Sequence, residues 1–194
     1  MIQYVAFLRG INVGGKHLVK MDALRGVFAS LGCKNVQTFI QSGNVIFDSA
    51  AKDAAALTRK IEKALLTNFG FPIPVMLRTG AELAAMLQLN PFQSAGDDGV
   101  KYVTFLATEL KHAPALPLCS PTNDCAIIHV NGREMFSVGY RLSNGRSGNV
   151  MMLIEKEAGK TVTTRNWNTI VKIAGMLSAD SQISQKGNNR TQPV

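Results

Sequence analysis

The spacing of apolar and polar residues predicts a chain of short strands and amphipathic helices. Over residues 1–78 the predicted order is strand, helix, strand, strand, helix, strand. The six predicted ranges are 4–8, 21–31, 36–40, 45–47, 57–69 and 73–77. Pro72 and Pro74 fall at the last of these ranges, which predicts an edge strand because proline has no N–H group for a sheet ladder.

Residues 79–177 repeat part of this order. Thr79 and Glu82 have the spacing of a capping box, which predicts that a short helix begins here. The later predicted ranges are strands at 100–107, 126–130 and 134–140, and helices at 150–157 and 165–177. The order in the first half is typical of the split βαβ unit. The pattern therefore predicts an α+β fold of two ferredoxin-like (split βαβ) subdomains packed together, 1–78 and 79–177, the second degenerate. The polar residues 178–194 predict a disordered tail.

The composition is that of a folded protein with an excess of positive charge. Of its 194 residues, 46% are hydrophobic, which is enough to bury a core. No apolar run reaches the roughly 18 residues of a membrane helix. The first apolar run meets Arg9 too soon for a signal peptide, so we predict a cytoplasmic protein without a membrane partner. The net charge of +8 favours polyanionic partners such as nucleic acid, although it could also serve solubility alone.

The cysteines and histidines favour neither a disulfide framework nor a metal site. The three cysteines include no CxxC pair, and the three histidines are scattered without the spacing of metal ligands. We therefore predict reduced cysteines in the core, no metal and no cofactor.

The first candidate site is residues 7–16, which read FLRGINVGGK after an apolar run. Gly14 and Gly15 permit positive φ and a close approach of the backbone to a ligand. Exposed backbone N–H groups beside Arg9 and Lys16 would suit an anion. The stretch therefore predicts a cationic glycine turn that binds an anion.

The same stretch imitates a P-loop. The spacing from Gly10 to Lys16 matches GxxxxGK, but His17 stands where that loop has Ser or Thr for magnesium. The predicted hairpin also makes the sheet antiparallel, whereas P-loop NTPases have a parallel sheet. A true NTPase is therefore disfavoured.

Two further stretches carry candidate residues. Ser42 and Asn44 lie in the predicted hairpin turn, where backbone conformation alone could explain them. Arg165 falls in the first turn of a predicted helix capped by Thr164, where it opposes the helix dipole. It should therefore have an anionic partner, either a carboxylate of the fold or a ligand. Asn166 could cap a turn or contact a phosphate or a base edge. The pattern does not decide whether the three stretches meet in space.

Together these stretches resemble the uncharacterised bacterial family known as domain of unknown function 1697. The residues that carry the resemblance are YVAFLRGINVGGK from Tyr4, VQTFIQSGNVIF from Val36 and TTRNWNT from Thr163, with Lys20, Met21, Asn90 and Pro91 between them. The resemblance covers nearly the whole chain and implies two packed ferredoxin-like subdomains. It implies no activity, because the family has none established.

Three functions are compatible with the sequence. The leading hypothesis is a protein that binds a phosphate-bearing ligand, either nucleic acid or a phosphorylated small molecule such as a nucleotide. Its candidate contacts are Arg9, Asn12, Gly14, Gly15, Lys16, Ser42, Asn44, Arg165 and Asn166. The alternatives are a small cofactor-free enzyme on an anionic metabolite, with Lys16 or His17 as acid or base, and a protein-interaction module.

Overall fold

Two antiparallel sheets form the fold, and helices pack on their faces. The computed structural model describes residues 1–93, 95–96, 99–143 and 145–188, with side chains up to Leu177. The elements of the first half are β1 (Ile2–Leu8), α1 (Met21–Ser30), β2 (Lys34–Phe39), β3 (Asn44–Ser49), α2 (Ala54–Phe69) and β4 (Val75–Thr79). Those of the second half are α3 (Gly80–Gln88), β5 (Gly99–Leu106), β6 (Leu118–Cys119), β7 (Cys125–Asn131), β8 (Glu134–Tyr140), α4 (Val150–Ala158), β9 (Val162–Asn166) and α5 (Trp167–Asn188).

The two sheets share one strand order. The first sheet runs β2-β3-β1-β4 and the second runs β6-β7-β8-β5-β9, so that the second repeats the first once the short edge strand β6 is set aside. The registers also match, because Leu8 pairs with Val75 as Leu106 pairs with Val162. The α+β class with two sheets is therefore confirmed. Both neighbours of β1 are antiparallel to it, which is not the sheet of a P-loop NTPase.

The apolar side chains form three clusters. The first lies between the first sheet and helices α1 and α2, and its largest members include Tyr4, Phe28 and Phe47. The second lies between the two sheets and includes side chains of α3 and α5. The third lies between the second sheet and α4. Because the middle cluster takes side chains from both halves, each half buries part of its apolar surface only against the other.

The boundary predicted between residues 78 and 79 falls within β4, before its last residue, Thr79, which is followed by α3. The predicted capping box is confirmed, since the Glu82 N–H group donates to Thr79 Oγ1 and the Thr79 N–H group donates to the Glu82 carboxylate. Helix α3 contacts both β1 and α5. The division into 1–78 and 79–177 stays a prediction. None of the helices in the described part of the chain is both long and apolar enough to cross a membrane.

The last helix differs from its prediction at both ends. It begins at Trp167 instead of residue 165, and the N–H group of Asn168 donates to Asn166 Oδ1 at 2.9 Å, so that Asn166, not Thr164, caps it. It continues to Asn188 and so includes residues 178–188 of the predicted tail, whose disorder stays a prediction. No glycine or proline interrupts those residues before Gly187. The remainder of the predicted tail, 189–194, lies outside the described residues.

Candidate functional site

The glycine turn is an exposed loop between β1 and α1. Val13 and Lys16 form an isolated β-bridge, and Gly14 and Gly15 between them have φ of 57° and 73°. Successive positive φ angles are typical of tight two-residue turns and favour glycine. The Lys16 side chain at this turn is exposed. The two glycines are therefore explained by the turn itself.

Asn12 fixes the base of this loop. Its Nδ2 group donates to the carbonyl oxygens of Val19 at 3.1 Å and Gln41 at 2.9 Å, and its Oδ1 accepts from the Val19 N–H group at 2.8 Å. The contact with Gln41 places the loop against the β2–β3 turn. The two stretches that the sequence could not place relative to each other are therefore neighbours, and Asn12 holds them together.

Arg165 joins the third stretch to the other two. It lies in strand β9 and is 9% exposed. Each of its five N–H groups has an acceptor in the protein. These acceptors are Asn44 Oδ1 (2.6 Å), Thr163 Oγ1 (2.8 Å) and the carbonyl oxygens of Thr164 (2.9 Å), Leu8 (2.7 Å) and Ser42 (2.9 Å). The dipole argument from the sequence was wrong, because Arg165 precedes the helix and faces backbone oxygens instead.

The hydrogen-bond acceptors of the Arg165 guanidinium in the described part of the chain are all neutral. Asn44 is fully buried, and its Nδ2 group donates to the Phe39 carbonyl and to Ser42 Oγ, both at 3.0 Å, which orients Oδ1 toward Arg165. Burial lowers the pKa of Arg165 to about 10, and within the described residues no carboxylate forms an ion pair with it. A positive charge is therefore buried here without a counter-charge.

Arg78 occupies the equivalent position in β4 and was not among the residues predicted from the sequence. Its Nε donates to Glu134 Oε1 at 2.5 Å, and its Nη2 donates to the carbonyl oxygens of Leu106 at 3.0 Å and Arg133 at 2.9 Å. Burial lowers the pKa of Arg78, while the Glu134 carboxylate opposes that shift. A signal was present, since VMLR at 75–78 and VTTR at 162–165 share a Val-x-x-Arg spacing. Glu134 pairs with Phe105 as Asn44 pairs with Phe7.

A cleft of about 570 Å³ opens beside the Arg165 network. It is lined by the start of the glycine loop, one residue of β5, the start of α4 with the residues before it, and β9. These residues are Arg9, Gly10, Val13, Tyr102, Ser147, Gly148, Asn149, Val150, Met151, Val162, Thr163 and Thr164. Because Arg165 donates to Thr163 and Thr164, its charge lies directly behind the cleft wall.

Arg9 is the predicted site residue that lines this cleft. Its Nη1 donates to the Val162 carbonyl oxygen at 3.0 Å, and its Nη2 lies 3.3 Å from Glu155 Oε1. The other predicted residues lie elsewhere: Gly14, Gly15 and Lys16 at the exposed turn, Asn12, Ser42, Asn44 and Arg165 in the hydrogen-bond network, and Asn166 at the cap of α5.

A family model described as "Protein of unknown function (DUF1697)" matches residues 1–136. The chain belongs to this family. The match includes the glycine loop, Asn44 and Arg78 and ends within β8. A comparison with curated proteins gives no match. Among solved structures, the conserved bacterial protein SP0830 from Streptococcus pneumoniae is similar, with 24% identity and a TM-score of 0.63 over 91% of this chain and 98% of that one. That similarity extends to the fold alone.

The cleft of this DUF1697 protein combines several groups that attract negative charge. The first turn of α4 lines it, and a helix N-terminus carries a partial positive charge. Asn149 caps this helix by accepting the Met151 N–H group at 3.1 Å. Tyr102 Oη and Ser147 Oγ lie 3.4 Å apart and add hydroxyl groups. Chemically, the arrangement can neutralise an anion and donate hydrogen bonds to it.

Proposed function

We propose that this DUF1697 protein binds a phosphate-bearing small molecule of nucleotide size in the cleft between the glycine loop, α4 and β9. The observation that carries the proposal is the uncompensated charge of Arg165 behind Thr163 and Thr164. At the equivalent place in the other half, Glu134 balances Arg78. An arginine that is buried without a carboxylate leaves a positive potential, which a dianionic phosphate would complement.

Arg9 supplies the direct contact in this proposal. It is about a quarter exposed, and both of its known partners, the Val162 carbonyl and Glu155, hold the guanidinium at the cleft. Arginine suits phosphate because its planar fork can donate two parallel hydrogen bonds. Backbone N–H groups at the start of α4 and the Ser147 hydroxyl would complete the coordination of the phosphate.

The size of the cleft favours a small molecule over a polymer. A volume of about 570 Å³ lies within the roughly 300–1,000 Å³ of small-molecule sites. Tyr102 and Val13 offer apolar surface for a base or another flat group. Lys16 is outside the lining residues, so we assign it the weaker role of attracting anions to the cleft entrance.

His17 supports the enzyme alternative less well. Its ring stacks on Phe71 with centroids 4.4 Å apart, and its Nδ1 lies 3.3 Å from the Gly10 carbonyl oxygen. These contacts account for its position at the loop, and it is not among the residues that line the cleft. Binding without catalysis therefore remains our proposal.

The test is a binding and thermal-shift series on wild type, Arg9→Gln, Lys16→Met and Lys172→Met, the last being an exposed lysine of α5. The probes are inorganic phosphate, nucleoside mono-, di- and triphosphates, and short RNA and DNA oligomers. We expect a nucleotide to raise the Tm of wild type, about a tenfold weaker affinity for Arg9→Gln, a smaller loss for Lys16→Met and no loss for Lys172→Met.

Two results would overturn the proposal. One is the absence of stabilisation by every phosphate-bearing probe. The other is binding that Arg9→Gln and Lys172→Met weaken equally. If only oligomers bind, with an affinity that falls steeply with salt, the ligand is nucleic acid rather than a small molecule.

A further inference from the structure

A second cavity, of about 500 Å³, lies between α4 and the loop that joins β6 to β7. Its lining includes the apolar side chains Leu118, Pro121, Met152 and Leu153. Asn149, the cap of α4, lines both this cavity and the cleft described above. The two sites are otherwise lined by different residues.

The cavity arises from the difference between the two halves of the fold. In the first half, α1 and α2 together cover one sheet face, and α1 buries Leu24, Val27 and Phe28 there. In the second half, residues 107–124 connect β5 to β7 without a helix and contain β6. The corresponding face is covered by α4, with Leu110 and Leu118 packed beside it. Fewer side chains cover this face, and a space remains next to α4.

One cation, Lys156, lines this cavity. Lys156 follows Met152 by one helical turn on the same face of α4, and it forms no ion pair with any residue in the described part of the chain. The carboxylate that lines the cavity, Asp124, accepts a hydrogen bond from Ser120 Oγ at 2.6 Å and is held within its own turn. The cavity therefore has mostly apolar walls, with the Lys156 ammonium group and the Asp124 carboxylate, which Ser120 engages, both in its lining.

We propose that this cavity binds a small apolar carboxylate, whose chain would contact Leu118, Met152 and Leu153 and whose carboxylate would pair with Lys156. This site is separate from the phosphate site, and neither proposal depends on the other. Cys119 also lines the cavity and is exposed, whereas Cys33 and Cys125 are buried. This corrects the sequence-based prediction that all three cysteines are core residues, and it provides a reporter for occupancy.

The experiment compares octanoate, octanol and octylamine, which share an apolar chain and differ in charge. We expect octanoate to raise the Tm of wild type most and to slow alkylation of Cys119 severalfold, and octylamine to have the least effect. Lys156→Met should weaken octanoate about three- to tenfold and leave octanol unchanged, because methionine keeps the apolar stem without the charge. Lys160→Met is the matched control, an exposed lysine outside the cavity lining.

The outcomes separate this site from the cleft. Octanoate binding that survives Arg9→Gln but weakens in Lys156→Met supports the cavity. Binding lost in Arg9→Gln places the carboxylate in the cleft and overturns the proposal. Failure of octanoate both to stabilise the protein and to protect Cys119 also overturns it. So does equal binding by Lys156→Met and Lys160→Met. Met152→Trp, at a 76% exposed position, should narrow the cavity and block octanoate without loss of the fold.

Discussion

Phe7 and Phe105 are stacked face to face between the two sheets, with ring centroids 4.0 Å apart and an interplanar angle of 8°. The two residues are equivalent, since each immediately precedes the last residue of its strand, β1 or β5. The Arg165 guanidinium lies 5.8 Å from the centroid of the Phe7 ring, and that of Arg78 lies 5.4 Å from Phe105. Equivalent residues of the two halves, Phe7 with Phe105 and Arg165 with Arg78, therefore lie around the central contact between the two rings.

This stack should couple the two halves energetically. We expect Phe7→Leu and Phe105→Leu each to lower the free energy of unfolding, and the double variant to lose less than their sum by about 0.5–1.5 kcal/mol. Urea denaturation of the four proteins measures the coupling. Phe47→Leu combined with Phe105→Leu is the control, because Phe47 belongs to the cluster under α1 and α2. Additivity in the Phe7–Phe105 cycle would contradict the prediction.

Arg165 should be needed for stability as much as for any ligand. In Arg165→Met the oxygens of Leu8, Ser42 and Asn44 would lose buried donors, so we expect a loss of roughly 3–5 kcal/mol in the free energy of unfolding. Arg78→Met should lose at least as much, because it leaves the Glu134 carboxylate without its partner.

The stability lost in Arg78→Met should be partly restored by a second substitution, whereas that lost in Arg165→Met should not. Adding Glu134→Gln should restore part of the stability of Arg78→Met, because it removes the unpaired charge of Glu134, whose side chain is 15% exposed. No such rescue is expected for Arg165→Met, because no carboxylate among the described residues pairs with Arg165. Urea denaturation of each variant decides this. A loss below about 1 kcal/mol for Arg165→Met would show that its hydrogen bonds are replaced by water.

Gly43 and Gly15 provide a test of which glycines the fold requires. Both have positive φ, but a Cβ on Gly43 would lie 2.8 Å from Leu8 Cβ and 2.9 Å from Ile11 Cδ1, whereas nothing lies within 4 Å of one on Gly15. We expect Gly43→Ala to cost roughly 2–4 kcal/mol and Gly15→Ala about 1 kcal/mol. Thermal denaturation of both variants measures this, and equal losses would contradict it.

The sequence predicted helices and strands well where a local residue pattern determined both the secondary structure and the buried face. The apolar run 45–47 of β3 and the apolar stripe of α2 are local, and the Thr79–Glu82 capping box is encoded in four residues. The prediction of a helix from residue 165 was wrong, because residues 162–166 form β9. Thr164 is a good helix cap and Trp167 fits a helical stripe, so the local pattern favoured the helix. Pairing of Thr164 with Thr104 of β5 decided the outcome, and that contact is 60 residues apart in sequence.

The site was less predictable for the same reason. Arg9 was identified from the glycine loop, but its partner Glu155 and the cleft residues Tyr102 and Ser147 carry no local motif. They become neighbours only when the second half packs on the first. Arg165 was identified as unusual because it was placed in a helical turn, and that placement was wrong. Its distinction is that it is buried and forms no ion pair with any described residue.

Glu82 should make stability depend on acid pH. Burial raises the pKa of Glu82. Hydrogen bonds from Thr79 and the charge of Arg133 together lower it by more than burial raises it, so that the pKa lies below its ordinary value of 4.5. The unfolded chain therefore binds this proton more readily. The stabilisation is complete above the ordinary pKa and is lost as the pH falls through the lower folded value.

The measurement is urea unfolding of wild type and Glu82→Gln between about pH 6 and about pH 3. The difference in unfolding free energy between them should shrink as the pH falls. The Arg133 to Glu82 contact, at 2.7 Å, contributes to this difference. A difference that stays constant across the range would show that Glu82 titrates alike in the folded and unfolded chain.

Glu155 should weaken the proposed phosphate site that it helps to build. Its carboxylate lies 3.3 Å from Arg9 Nη2, with both side chains partly exposed, so it competes with a phosphate for the guanidinium. We expect Glu155→Gln to raise the affinity for a nucleotide about threefold and to change stability by less than about 1 kcal/mol, since exposed ion pairs contribute little. Glu157→Gln, on the same helix, is the control for charge alone. If both variants raise affinity equally, the effect is long-range. If Glu155→Gln lowers affinity, Glu155 instead positions Arg9 for the ligand, and the amide is a poorer support than the carboxylate.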